Sequence, residues 1–170
     1  WIRARWDFDG SGKTEFQPCQ CMQCDDPSCV AACPVDATYK GADGIVVINA
    51  AKCIGCGNCI TACPYGARYR DAARQIADKC DFCQHRLKRG EEPACVVTCP
   101  TKARVFGDLN DPESQVSRIV REEKLVRVSA PHVDTRPNIY CHQGTRMLDW
   151  AVTPTLPGNV HMPGQFWKTG

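Results

Sequence analysis

Short apolar runs separated by turn residues dominate the pattern of hydrophobic and polar positions along this chain. Two strand-like runs, 37–40 and 45–48, flank a Gly-Ala-Asp-Gly turn, and this arrangement predicts a β-hairpin. Residues 1–20 carry aromatic side chains on both sides of the turn residues 9–12, which predicts a second hairpin of extended segments. The unbroken apolar stretches are a handful of residues long, whereas a membrane span needs about twenty. We therefore expect that this chain does not cross a bilayer by itself.

A helical pattern stands in the last third of the chain. Asp111 is placed as an N-cap and Pro112 in the first turn, so a helix is predicted over 112–124. Its apolar positions lie on one face and should pack on the rest of the protein; they are Val116, Ile119 and Val120. The charged segment 84–94 predicts a solvent-facing loop or short helix.

Residues 130–170 predict an extended tail, because prolines recur between scattered aromatic residues. These aromatic residues are Tyr140, Trp150, Phe166 and Trp167. Such a tail cannot form a core of its own, and exposing tryptophan and tyrosine to water is unfavourable. We expect the tail to lie over a partner subunit; the alternative is that it covers its own domain.

Composition describes a globular chain with one outstanding feature. The 170 residues are 43% hydrophobic and 24% charged, which suits one domain or two small ones. The 21 Lys and Arg against 19 Asp and Glu leave a net charge of +2, without the basic excess of nucleic-acid-binding proteins. Fourteen cysteines, however, are a density typical of disulfide scaffolds and metal proteins.

The cysteines form three runs that end alike. The runs occupy residues 21–34, 53–64 and 80–100, and the last contains an eleven-residue insertion after Cys83. Each ends in the pattern CxxxCPxxA, so the chain contains an internal repeat. Cys19 and Cys141 stand outside the runs, and the histidines have no ligand spacing with one another; these are His85, His132, His142 and His161.

The second run, CIGCGNCITACP, has the bacterial ferredoxin spacing CxxCxxCxxxCP. There, three close cysteines bind one 4Fe-4S cube and the fourth reaches to a neighbouring cube. The proline has no N–H and fixes the exit of the chain from the helical turn that carries the fourth cysteine. Spacing and proline together indicate iron–sulfur clusters.

Other cysteine chemistries fit the runs less well. A zinc ribbon closes on two CxxC pairs and leaves the CxxxCP halves unexplained. Disulfides between the cysteines of a CxxC pair would close small, strained rings, and thioredoxin-like chemistry needs one CxxC within a βαβ pattern. A c-type haem needs CxxCH, and no CxxC pair here is followed by histidine. Iron–sulfur ligation is the favoured interpretation.

The longer order of motifs points to a family. The chain contains, in sequence, CMQCDDPSCVAACP, CIGCGNCITACPYGARY, CDFCQHRLKRGEEPACVVTCP, FGDLNDP and RPNIY. Over residues 21–140 this order resembles the four-cluster iron–sulfur subunit of respiratory complexes in the dimethyl-sulfoxide-reductase superfamily, whose members include polysulfide, tetrathionate and nitrite reductases. The resemblance is specific for the type of subunit and does not identify a substrate.

The resemblance implies an α+β fold of tandem bacterial-ferredoxin-like domains with small β-hairpins, short helices and an extended C-terminal tail. Its expected parts are an N-terminal extended segment (1–20), a two-cluster domain (21–79), a second ferredoxin-like half (80–129) and a partner-binding tail (130–170). Family members have four cysteine groups, and this chain has the last three. We expect the first group to lie upstream of Trp1; the alternative is its loss, with Cys19 or Cys141 as replacement ligands.

The resemblance also implies how the cysteines are shared among cubes. One cube would be held by Cys21, Cys24, Cys29 and Cys63, and its neighbour by Cys53, Cys56, Cys59 and Cys33. A third would be held by Cys80, Cys83 and Cys95, while Cys99 reaches towards a fourth. Two clusters are thus complete within this chain and two are partly ligated by it, and four are expected in the full-length subunit.

The function implied is electron transfer without catalysis by this chain. The clusters would pass single electrons between a catalytic subunit of the molybdopterin family, or a cytochrome subunit, and an integral membrane subunit that reacts with quinone. The complex would be peripheral on the cytoplasmic membrane, on its periplasmic face. Alternatives are a free-standing soluble polyferredoxin and a binding module in which clusters only stabilise the fold. Lys52 and Lys79 each precede a cysteine run and would raise cluster potentials if they point inward.

Overall fold

The structure of the chain, a computed structural model, describes the backbone of residues 3–8 and 14–19 and the residues 20–123, 125–130 and 133–142. Within these ranges the chain forms four separate two-stranded antiparallel sheets and five helices. This mixture agrees with the predicted α+β class, while the tandem arrangement stays a prediction. None of the helices in the described ranges has the length and apolar character needed to span a membrane.

All four sheets are hairpins. They pair β1 (Arg3–Phe8) with β2 (Thr14–Cys19), β3 (Thr38–Lys40) with β4 (Val46–Ile48), β5 (Tyr69–Arg70) with β6 (Ala77–Asp78), and β7 (Leu125–Arg127) with β8 (Tyr140–His142). The structure confirms the two hairpins predicted from the turn signals. The other two escaped prediction, because two-residue strands carry no readable alternation and β7 pairs across a long connection.

Four helices are a single turn long. They are α1 (Ser28–Ala31), α2 (Asn58–Thr61), α3 (Gln84–Leu87) and α4 (Ala94–Val97). Helix α3 lies in the charged insertion and confirms the short helix expected there; Gly90 follows it with a positive φ of 72°. A one-turn helix is unstable in isolation, so each depends on the contacts around its cysteine-bearing loop.

The fifth helix, α5 (Gln115–Glu122), is shorter than predicted. The expectation that Asp111 caps a helix over 112–124 was wrong, because the Asp111 carboxylate instead accepts from the Glu113 N–H at 2.9 Å and closes a turn. Ser114 caps the helix, and its hydroxyl oxygen accepts from the Ser117 N–H at 3.2 Å. The expected apolar face is half-buried, and Gly107 packs so closely on Val116 that a Cβ would lie 2.9 Å from its methyl group.

The first part of the predicted tail packs on the chain's own domain. Asp25 N–H donates to the Arg136 carbonyl at 2.9 Å, and Asn138 N–H donates to the Met22 carbonyl at 2.9 Å. Val128 and Thr135 are each 1% exposed. For residues 133–142 the structure therefore favours the alternative in which the tail covers its own domain; residues 143–170, with three of the four aromatic anchors, lie outside the described residues.

Two small apolar clusters form the core, and cysteines contribute to both. The first contains Cys21, Met22, Cys24, Tyr65, Ala67, Cys80 and Val128. The second contains Cys29, Val46, Cys59 and Ala77. Five of the described cysteines are thus buried in the core: Cys21, Cys24, Cys29, Cys59 and Cys80.

Candidate iron–sulfur centres

The CxxxCP half of each run has the same local structure. The first cysteine is the second residue of a one-turn helix, as Cys29 in α1, Cys59 in α2 and Cys95 in α4. The second cysteine follows the C-cap residue, and its N–H bonds back to the helix: Cys63 N–H donates to the Ile60 carbonyl at 3.3 Å and Cys99 N–H to the Val96 carbonyl at 3.2 Å. The internal repeat of the sequence is therefore a repeat of backbone conformation.

The CxxC half repeats as well. The residue before its second cysteine has a positive φ in all three runs: 48° at Gln23, 67° at Gly55 and 56° at Phe82. This left-handed residue bends the loop between its two cysteines. At Gly55 the side chain is also excluded by contact, since a Cβ would lie 2.1 Å from the Gln75 carbonyl oxygen.

At the other two positions, tertiary contacts hold a side chain in this unfavourable conformation. Gln23 is 1% exposed; its amide nitrogen donates to the Cys80 carbonyl at 3.0 Å and its amide oxygen accepts from the Val46 N–H at 2.8 Å. Phe82 packs edge-to-face on Phe106, with ring centroids 5.3 Å apart. Gln23 therefore joins the first run to the third and to strand β4.

The turn after each CP aims backbone N–H groups at the cysteine sulfur. The third residue after the cysteine has a positive φ in every repeat: 50° at Asp36, 57° at Gly66 and 51° at Lys102. In the first repeat the amides of Ala37 and Thr38 lie 3.2 and 3.5 Å from the Cys33 sulfur. Such N–H···S contacts stabilise a thiolate, which is the form that binds iron.

Four cysteines from two different runs line one cavity. Three belong to the first run and one to the second: Cys21, Cys24, Cys29 and Cys63. Tyr65, Arg68 and Thr135 complete much of the wall. Burial, together with repulsion from the other three thiols, raises the pKa of the Cys24 thiol to about 11. The donor set is all sulfur, which suits an iron–sulfur cube.

A lid of hydroxyl groups closes one side of this cavity. The hydroxyls of Tyr65 and Thr135 lie 2.9 Å apart, and the Tyr65 oxygen accepts from the Ala130 N–H at 3.3 Å. Tyr65 is 4% exposed. Ala130 and Thr135, together with Tyr65, thus help to shield the first group of cysteines from water.

The second group is arranged more openly. Cys59 is buried in the second apolar cluster and Cys53 packs against it, while Cys33 is half-buried and Cys56 is exposed. Beside Cys56, the Ile54 side chain is 64% exposed. The structure brings Cys53 and Cys59 together and leaves Cys33 and Cys56 towards the surface.

The third group extends from the core outward. Burial raises the pKa of the Cys80 thiol, and the neighbouring Cys21 and Cys95 thiols add to that rise. Cys83, Cys95 and Cys99 are half-buried. Among the described residues, no three Cys, His, Asp or Glu side chains converge on a point where one metal ion would sit. The thiolates of a cube bind different iron atoms and need not converge in this way.

Comparison with known proteins decides the family. A family model described as a 4Fe-4S dicluster domain matches residues 12–109, more than half of the chain. The chain belongs to this 4Fe-4S dicluster family. Its cofactors are accordingly 4Fe-4S clusters.

Three of the curated relatives are each one chain or subunit of a reductase or dehydrogenase. The chain is 43% identical over 133 residues to one chain of the polysulfide reductase of Wolinella succinogenes, covering 78% of this chain and 69% of the relative. It is 44% identical over 124 residues to a subunit of the tetrathionate reductase of Salmonella typhimurium, covering 72% and 50%. It is 46% identical over 117 residues to a subunit of the sulfite dehydrogenase of Allochromatium vinosum, covering 65% and 49%. The chain thus spans about half the length of the last two. The resemblance inferred from the motifs is confirmed.

In this dicluster protein the two lysines that precede cysteine runs differ. Lys79 is 3% exposed, and its ammonium donates to the carbonyls of Val46 and Cys80. Lys52 is exposed. Lys79 therefore points inward, whereas Lys52 is solvated.

Among the remaining cysteines and histidines, the described side chains of Cys141, His85 and His142 do not line the cavity. Cys141 packs against the first apolar cluster, and burial raises the pKa of its thiol. Cys19 ends strand β2. His85 is exposed and His142 pairs with Glu123 at 2.7 Å, while His132 and His161 lie outside the described residues.

Sequence reasoning missed Gln23 and Arg68. Neither is a ligand type for iron, so no spacing rule singles them out. Arg68 does carry one signal: it follows the alanine of CPxxA, the same position that Thr38 and Arg104 occupy in the other repeats.

Proposed function

We propose that this chain is an electron-transfer subunit whose 4Fe-4S clusters carry single electrons between a catalytic or haem-bearing subunit and a quinone-reactive membrane subunit of a respiratory oxidoreductase complex. The observation that carries the proposal is the cavity in which three cysteines of the first run meet Cys63 of the second. This interleaving of runs is how ferredoxin-type motifs place two cubes side by side.

The proposed ligand sets follow the same interleaving. The first cube is assigned to Cys21, Cys24, Cys29 and Cys63, the second to Cys53, Cys56, Cys59 and Cys33, and the third to Cys80, Cys83 and Cys95, with Cys99 directed to a fourth. The shared cavity supports the first set, and the packing of Cys53 on the cluster of Cys59 supports the second. The third set follows the repeat of the motif, in which Cys80, Cys83 and Cys95 correspond to Cys21, Cys24 and Cys29.

The chain's own residues would influence the electron-carrying clusters in three ways. The CPxxA turns direct N–H groups at the sulfurs, the apolar clusters exclude water, and the buried cations Arg68 and Lys79 offset negative charge. A 4Fe-4S cluster takes up and releases one electron at a time, at a potential that these surroundings set. We assign this chain no catalytic residue and place the chemistry of the substrate in a partner.

Partners and location are inferred from the relatives. Their names describe components of polysulfide reductase, tetrathionate reductase and sulfite dehydrogenase, so a subunit role is favoured over a free-standing polyferredoxin. We propose a molybdopterin-family or cytochrome subunit as one partner and an integral membrane subunit as the other, at the periplasmic face of the cytoplasmic membrane. Residues 143–170 are proposed to contact one of them.

The test is anaerobic purification of the complex through a tag on this chain. After subtraction of any haem iron, we expect iron and acid-labile sulfide in equal amounts, EPR signals of reduced 4Fe-4S clusters, and reduction or oxidation of those clusters by a quinol–quinone couple. A tagged chain that elutes alone yet holds redox-active clusters would favour the soluble polyferredoxin. Clusters that stay redox-silent across the physiological range would favour the purely structural role, and zinc in place of iron would overturn both.

A further inference from the structure

A buried arginine lies between the first two groups of cysteines. Arg68 is 3% exposed. One terminal nitrogen of its guanidinium donates to the Cys29 sulfur at 2.9 Å and the other donates to the Thr38 hydroxyl at 3.2 Å. The hydroxyl orients the planar group, so that its charge faces the sulfur rather than solvent.

This arginine pairs with cysteine sulfur where a carboxylate would usually be found. Among the described residues, no Asp or Glu lies within ion-pair distance of Arg68. A buried cation needs a compensating negative charge, because removing it from water is costly. The charges near it are the thiols of Cys29, Cys59 and Cys21, which raise its pKa against the opposing effect of burial. The negative charge that compensates the buried guanidinium is therefore that of the cysteine thiolates that bind the clusters.

We propose that Arg68 sets the reduction potentials of the first two clusters by placing one fixed positive charge between them, with the larger effect on the cluster held by Cys29. The inference rests on the ligand sets of the proposed function, in which Cys29 and Cys59 belong to different cubes. One electron added to a cube makes it more negative by one charge. The guanidinium stays protonated in both states, so it stabilises the reduced form without a proton moving.

The geometry divides the effect between the two cubes. The hydrogen bond reaches a ligand of the first cube directly, so this cube gains both a donor to sulfur and a charge. The second cube, whose ligand Cys59 packs in one apolar cluster with Cys29, gains the charge alone.

The test compares three variants by redox titration monitored by EPR, with iron content measured on each sample. Arg68→Met removes the charge and the donors but keeps an unbranched side chain, and Arg68→Lys keeps the charge but replaces the planar two-armed donor with a single ammonium on a shorter side chain. Arg70→Met is the matched control, because Arg70 is exposed on strand β5 two residues away. The first-cube signal is assigned by its loss in Cys63→Ala.

With full iron content, Arg68→Met should change the oxidised-to-reduced ratio of the first cube about tenfold. For a one-electron couple this lowers its midpoint potential by about 59 mV. The second cube should fall less, the third cube should not move, and the first cube should keep its potential in the Arg70→Met control. Unchanged potentials in a fully loaded Arg68→Met protein would overturn the inference and leave the proposed function standing. Absence of iron from the unmodified chain would instead overturn the proposed function.

If Arg68→Met does not load clusters, the potentials of Arg68→Lys decide the test. Here the first cube should fall in potential while the second keeps its value, because the charge remains and the bond to the Cys29 sulfur is weakened. A loaded Arg68→Lys protein with an unchanged first cube, or with both cubes lowered equally, would contradict the assigned geometry.

Discussion

Cys63 and Cys99 occupy the same position in two copies of one motif, yet their surroundings shift the pKa of the two thiols in opposite directions. Each follows a one-turn helix, precedes proline and faces the amide of the alanine in CPxxA. Burial raises the pKa of Cys63, which lines the cavity and packs on the first apolar cluster. The Thr101 hydroxyl and the Ala103 amide lower the pKa of Cys99, at the outer end of the array.

The corresponding cysteine of the first run supports this comparison. Burial acts to raise the pKa of Cys33 as well, but the amides of Thr38, Val35 and Ala37 together outweigh it, and the result is a lowered pKa. The local motif thus supplies similar hydrogen bonds everywhere. Whether they prevail depends on how much protein packs around the sulfur, and the same balance governs cluster potential.

The largest effect should come from removing the two cysteines in turn. Cys63→Ala should lose the first cube, or about four irons per chain, because its cavity then has three ligands. Cys99→Ala should leave the first two cubes intact. Iron analysis and EPR on anaerobically purified protein test this, and loss of the first cube in Cys99→Ala would contradict the ligand sets.

The stability of the protein around the buried first group of cysteines should depend on residues 133–142, which cover that group. The Asn138 side chain donates to the Gln23 carbonyl at 3.0 Å and to the Asp25 carboxylate at 2.8 Å. Asn138→Ala should lower the free energy of unfolding by about 1–3 kcal/mol, since it leaves the Gln23 carbonyl without this donor. Chemical denaturation of the loaded protein measures it. Val133→Ala, at an exposed position of the same segment, is the control and should change stability by less than about 0.5 kcal/mol.

A smaller effect is expected from the two lysines that precede cysteine runs. Lys79→Gln should lower the midpoint potential of the cube held by Cys80, by on the order of 1 kcal/mol against its reduced form, because a buried positive charge is lost. Lys52→Gln should leave every potential unchanged, since that ammonium is solvated. EPR-monitored titration of both variants compares them directly. Equal shifts of midpoint potential in the two variants would show that the burial of the lysine does not determine its influence on the clusters.

The smallest effect concerns the turn that the three repeats share. Gly66 has a φ of 57°, so Gly66→Ala should lower the free energy of unfolding by about 1 kcal/mol. Lys102→Gly removes the strain at the equivalent position and should have the opposite sign, with a magnitude of about 0.5 kcal/mol. Denaturation curves of the two variants test the equivalence, and a stabilising Gly66→Ala would break it.

Much of the local structure could be predicted because it depends on neighbouring residues. Turn residues predicted the first two hairpins, and the CP pattern predicted a helical turn before each proline. The helix near residue 115 was predicted in place but not in extent, since Asp111 and Ser114 are both good caps and only their actual hydrogen bonds select Ser114. The ligand sets remain predictions, supported most directly at the first cavity.

The sequence by itself determined the cofactor, the family and the repeated backbone turns, because thiolate ligation and φ-restricted turns are encoded over spacings of a few residues. Only the tertiary structure decided that Gln23 joins two runs, that Arg68 faces a sulfur while Lys52 faces water, and that residues 133–142 cover the first cavity. Burial is the physical reason for the division. It depends on contacts between residues far apart in the chain, which no local pattern records.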